Sequence, residues 1–120
     1  MTVSTETYKA LLEARVFDPQ SFTKALQNRS RRTPQGADGK MLLIAADHTA
    51  RGKIKLGNDP VAMSDRHTLL DHLVRTLALP DVDGVLGSAD VLEELAWLGA
   101  LDGKLAIGTM NRGGIIGAKW

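Results

Sequence analysis

The chain contains no cysteine, so disulfide frameworks, thiolate metal sites and cysteine nucleophiles are excluded, and a reducing compartment is expected, the cytoplasm by default. A run of 18 consecutive apolar residues is also missing, and the start, MTVSTETYKALLEARVF, has no signal-peptide core, so neither a membrane span nor an export signal is expected. Charge of one sign is not in excess: fifteen basic residues against fourteen acidic leave +1, and no global field draws the chain to nucleic acid or to an acidic membrane surface. The motifs GxxxxGK[ST], GxGxxG, GxSxG and HExxH do not occur, which removes support for nucleotide hydrolases, dinucleotide enzymes, serine hydrolases and the common metalloproteases.

What is present is ordinary for a soluble globular protein: 120 residues, 43% apolar and 24% charged, enough for one modest core. Residues 5 to 16 carry Tyr8, Leu11, Leu12 and Val16 on one face, and Asp18-Pro19 offers an N-cap with proline at the first helical position. Two short helices, 5–16 and 19–31, are predicted there. The stretch NRSRRTPQGADGK, residues 28–40, clusters arginines with Pro34, Gly36 and Gly39 and reads as a surface connection.

From Met41 the rhythm changes to strand 41–46, loop 47–63, helix 64–79, strand 82–87, helix 89–101 and strand 104–109. Ser64 is the expected N-cap of the first of these helices, with Leu69, Leu70, Leu73, Val74 and Leu77 as its apolar stripe; Val91, Leu92, Leu95 and Ala96 form the second stripe. The strands are continuous apolar runs, which suits parallel strands covered on both sides, and alternating strands and helices imply the α/β class.

In parallel α/β folds ligands bind outside the carboxyl ends of the strands. Asp47 ends the first apolar run, where burial raises a carboxyl pKa and a neighbouring cation lowers it; it is either an acid-base group or a structural cap for loop amides. His48 can titrate, bind a metal or hold a carbonyl. In ARGKIKLG, Arg51, Lys53 and Lys55 stand among glycines, a composition that holds a phosphate or is simply a solvated loop. Ser88 opens a helix directly after a strand, as an N-cap or an anion contact, and Asn111 and Arg112 follow the third strand beside a glycine pair. His67 and His72 are five apart, which does not match the spacing that places two imidazoles on one metal, so no metal site and no cofactor are expected. Arg29, Arg31 and Arg32 lack interleaved aromatics, and no nucleic-acid partner is expected.

LLIAADHTARG, followed by VDGVLGSADVLEEL and KLAIGTMNRGG, resembles the N-terminal third of class I, Schiff-base aldolases of the deoxyribose-phosphate aldolase-like and archaeal-type fructose-bisphosphate aldolase superfamily, nearest its bacterial branch linked to inositol catabolism. The resemblance spans residues 41–117, with helices 5–31 as a family extension. It implies the N-terminal β-α-β-α-β portion of a (β/α)8 TIM barrel preceded by two short helices: an extension over residues 1–40 and the first three strands in 41–120. It implies a carbon–carbon lyase acting on a sugar phosphate, with Asp47 matching the family's first-strand acid; His48, Arg51, Lys53, Ser88, Asn111 and Arg112, read from the strand ends, are the substrate-binding candidates. The imine-forming lysine would lie on a sixth strand beyond the chain, so the 120 residues alone are expected to be inactive. Lys40 and Lys104 precede their strands and cannot take that role. The alternative is a non-catalytic α/β module that binds a sugar phosphate or a protein. Expected partners are a small sugar or sugar phosphate, together with a second copy or the remainder of the barrel that would cover the open sheet.

Overall fold

The computed structural model describes residues 3–33, 38–110 and 116–117. Helices α1 (Thr5–Phe17) and α2 (Gln20–Asn28) come first. They are followed by strand β1 (Leu43–Ala45), a 3-10 turn (Thr49–Arg51), helix α3 (Arg66–Leu77), strand β2 (Gly84–Gly87), helix α4 (Ala89–Trp97) and strand β3 (Leu105–Gly108).

The helix ends are set by local hydrogen bonding, which differs from the expectation at two places. Asp18 is not the N-cap of α2: it is the C-cap of α1, Pro19 takes the N-cap position with helical dihedrals, and the Asp18 carbonyl accepts from the amide and the hydroxyl of Ser21. Ser64 does not cap α3; its hydroxyl donates to the Val61 carbonyl, and Asp65 accepts from the His67 amide at 3.0 Å and the Thr68 hydroxyl at 2.6 Å. A carboxylate accepts two donors at once, so the neighbouring aspartate wins the cap. Helix α2 stops at Asn28 because Arg29 turns extended and sends its guanidinium to the Lys104 carbonyl at 2.9 Å.

All three strands are parallel in the order β1-β2-β3, with Leu43 opposite Gly84 and Gly84 opposite Leu105. A Cβ at Gly84 would collide with the Leu105 carbonyl, so the close approach of β2 to β3 requires glycine there. At the amino ends, Asp83 accepts from the Leu42 amide at 2.6 Å and pairs with Arg32 at 2.5 Å, and the Lys104 ammonium donates to the carbonyls of Val82 and Leu79. Ile44, Val85 and Ala106, opposite one another, face the core with Leu70, Leu77, Val91 and Leu95. Leu11 of α1 and Phe22 of α2 are fully buried in the same cluster.

The expected N-terminal portion of a TIM barrel is corrected to an α/β unit: a three-stranded parallel sheet with four α-helices whose core includes α1 and α2. Alternating strands and helices occur in open sheets as well as in barrels, so that pattern specifies the class but not closure. The arginines singled out at 29 and 32 are engaged within the fold. No helix among the described residues is long and apolar enough to cross a membrane.

Candidate functional site

The carboxyl edge of the sheet is built by chain segments leaving the strands. Ala46 is buried and its amide donates to the Leu86 carbonyl at 2.8 Å, carrying the ladder one step past β1. Asp47 follows with its side chain 15% exposed. The chain then tightens: His48 takes helical dihedrals and its carbonyl accepts from the amides of Arg51 and Lys53, both at 3.1 Å. Gly52, at φ 77°, closes this turn in the left-handed region.

The turn brings Arg51 back toward Asp47, its Nε 3.7 Å from the Asp47 Oδ2, an ion pair too long for a hydrogen bond. Among the described residues, the Arg51 Nε and the Thr109 hydroxyl are buried without a hydrogen-bond partner. The Arg51 carbonyl accepts from the Ile116 amide at 3.1 Å, tying the segment beyond β3 to the loop beyond β1. Ser88, buried, holds the N-cap position of α4 with extended dihedrals but no capping hydrogen bond from its side chain.

The candidates therefore separate. Asp47, His48 and Arg51 share one turn, and Ser88 ends the adjacent strand. Lys53 is exposed, and Asn111 and Arg112 lie outside the described residues. No group of three or more metal-ligating acids and imidazoles occurs among the described residues. His67 stacks on Tyr8 at 4.5 Å, with its Nε2 2.6 Å from the Val3 carbonyl oxygen, and fastens the start of the chain to α3.

Two features escaped the sequence. One is Thr109, whose significance lies in an unpaired hydroxyl that only packing reveals. The other is a charge network: Glu94, 7% exposed, pairs with Arg66 at 2.7 Å and Arg15 at 3.4 Å, while Arg66 reaches Asp90 and Arg15 reaches Glu93. The Arg15 guanidinium also lies 3.8 Å above the Phe22 ring. Burial alone would lower the Arg66 pKa, but Glu94 and Asp90 reverse this and hold it above the usual arginine value. Burial likewise works to raise the Asp90 pKa, and hydrogen bonds from Ser88 and Arg66 turn the net shift downward. The Tyr8 phenol is pushed up by burial first and then by Glu94 and Asp65. The only sequence signal was Asp90 and Glu94 spaced four apart on α4, with nothing to name their arginines.

A cleft of about 420 Å³ opens at the opposite, amino end of the sheet between Arg32, Lys40, Asp81 and Asp83. Its buried acid, Asp83, already serves an amide and a guanidinium, so its role is structural. A smaller hollow of about 250 Å³ adjoins the charge network between Thr49, Ser64, Arg66 and Glu94. The chemistry left unpaired lies at the carboxyl edge.

A family model described as Cgl0159-like matches residues 39–120. The crystal structure of Cgl0159 from Corynebacterium glutamicum is 43% identical and superposes with a TM-score of 0.90, covering 96% of this chain and 39% of its own. None of the curated proteins compared matches the chain. These findings overturn the resemblance to Schiff-base aldolases, and with it the lyase, the imine mechanism and the TIM barrel: the family that matches is a different one, and neither match is described as an aldolase. The alternative of a non-catalytic module gains nothing from them either. The residues quoted for the aldolase resemblance describe a buried parallel strand ending in a polar turn and a strand running into a capped helix, features shared by many α/β proteins. The chain belongs to the Cgl0159-like family and spans 39% of the length of that family's solved member.

Proposed function

We propose that the loops at the carboxyl edge of the sheet bind a small hydroxylated ligand, a sugar or sugar phosphate, with Asp47 as the carboxylate that orients it or exchanges its protons. The observation that carries this reading is the Asp47–Arg51 pair: an acid and a base held 3.7 Å apart at a strand end, with the guanidinium Nε buried and unpaired among the described residues. A carboxylate accepts from a hydroxyl and a guanidinium donates to an anionic oxygen, so the pair presents both halves of what such a ligand needs. His48 and Ser88 border the same edge and complete the contact set, while the exposed Lys53 supplies a positive group from the loop beyond β1. Neither nucleic acid nor membrane is a partner in this reading, and the absence of cysteine favours the cytoplasm.

Replacing Asp47 by Asn keeps the shape and removes the charge. The variant is expected to stay folded and to bind glucose 6-phosphate about ten- to a hundredfold more weakly, the range for a hydrogen bond to a charged group. Titration calorimetry on the 120-residue chain measures this, and equal affinities for the two proteins would reduce Asp47 to a loop cap.

A further inference from the structure

The strand register places two more polar side chains in one row with Asp47. Ala45 lies opposite Leu86, and Leu86 opposite Ile107, so these three form a row on one face of the sheet. The ladder continues beyond the strands, with the Ala46 amide on the Leu86 carbonyl at 2.8 Å and the Thr109 amide on the Gly87 carbonyl at 3.0 Å. Side chains alternate along a strand, so the next row on that face is Asp47, Ser88 and Thr109, at a strand spacing of about 4.8 Å. Below this row the face is apolar; at the row it turns into a carboxylate and two hydroxyls.

Buried hydroxyls and guanidinium groups are almost always hydrogen-bonded. Here the Thr109 Oγ1 and the Arg51 Nε are buried with no partner among the described residues. Both unpaired groups have a hydrogen to donate; Arg51 stands beside Asp47 at the end of β1, and Thr109 lies across β2 from them, two strand spacings or about 9.6 Å along the row. A single water accepts from Arg51 while donating to Asp47, or serves Thr109, but does not span the row, and a cation serves the carboxylate alone. A ligand that spans the row, with an anionic oxygen for Arg51, a hydroxyl for Asp47 and an acceptor oxygen for Thr109, satisfies all three.

Resting on the reading above, we infer that Thr109 is a ligand-binding residue of the carboxyl-edge site. It donates to one end of a small hydroxylated oxyanion laid along the row, while at the other end Asp47 holds a hydroxyl and Arg51 the anionic oxygen. That oxygen belongs either to a phosphate ester or to a carboxylate, and the arms of the experiment separate the two.

The test uses the full 120-residue chain titrated with glucose 6-phosphate, gluconate and glucose, alongside Thr109→Val, Thr109→Ser and Asp47→Asn. Wild type is expected to bind at least one of the two anions more tightly than glucose. Thr109→Val is expected to weaken that anion about five- to tenfold while its thermal midpoint stays level or rises, because valine replaces an unpaired buried hydroxyl by an isosteric methyl. Thr109→Ser is expected to restore binding. Thr109→Val binding like wild type while Asp47→Asn binds weakly would overturn the role of Thr109 and leave the site standing. A lowered midpoint with unchanged affinity would show a structural hydroxyl and overturn it as well. No preference for an anion in wild type would overturn both the inference and the site it rests on.

Discussion

At the scale of single residues, stability rests on side chains whose partners are distant in sequence. Glu94 joins α4 to α3 through Arg66 and to α1 through Arg15. Removing its charge leaves Arg66 with Asp90 and Arg15 with Glu93, so Glu94→Gln is expected to cost about 1–2 kcal/mol in chemical denaturation, the range for weakening a buried hydrogen bond to a charged group. A loss below about 0.5 kcal/mol would mean that Asp90 and Glu93 suffice to hold both arginines. Gly84→Ala sets a methyl against the Leu105 carbonyl, and since the obstacle is backbone, a cost near the upper end of about 1–3 kcal/mol for overpacking is expected. Asp90, whose pKa is lowered by Ser88 and Arg66 against the effect of burial, contributes stability above its unfolded pKa that is lost as pH falls through its folded value. The wild-type midpoint is therefore expected to drop in mild acid, and Asp90→Asn to flatten that drop. None of these partners is legible in sequence, because Arg66 and Glu94 stand 28 residues apart and meet only through packing.

At the scale of elements, hydrophobic periodicity was informative about position and less so about ends. The stripe Leu70, Leu73, Val74 and Leu77 on α3 and the stripe Val91, Leu92, Leu95 and Ala96 on α4 are the buried faces of those helices, as their spacing requires. On α1 the same criterion overreached: Leu11 is fully buried while Val16 is 71% exposed, because α1 meets the core along Tyr8, Leu11 and Ala14, and Leu12 and Val16 lie off that line. The predicted strands shorten from six residues to three or four, although single ladder bonds run past their ends, from the Ala46 amide to Leu86 and from the Thr109 amide to Gly87. Helix α2 is held chiefly by Phe22, fully buried against Trp97 of α4 with ring centroids 5.8 Å apart. Phe22→Ala is expected to cost about 3–5 kcal/mol, and a loss under about 1 kcal/mol would show that α2 is dispensable to the core.

At the scale of the whole molecule, the sheet has a packed face and a bare one. Leu43, Leu86, Leu105 and Ile107 lie in register on the face opposite Val85, outside the core cluster, and β1 and β3 each present an open edge. The 120-residue chain is therefore expected to self-associate as its concentration rises, which sedimentation velocity measures; a monodisperse monomer at high concentration would show that this face tolerates water. The sequence by itself determined the α/β class, the places of the helices and the candidate acid at the end of the first apolar run, because periodicity and strand-end chemistry are local properties. It also suggested an aldolase barrel, which the family match overturned, because the motifs that suggested it encode strand ends rather than a reaction. Only the tertiary structure decided that Arg51 turns back on Asp47, that Thr109 joins Asp47 and Ser88 in one row, and that Glu94 binds two arginines, since register and long-range pairing bring together residues whose distance in sequence carries no signal.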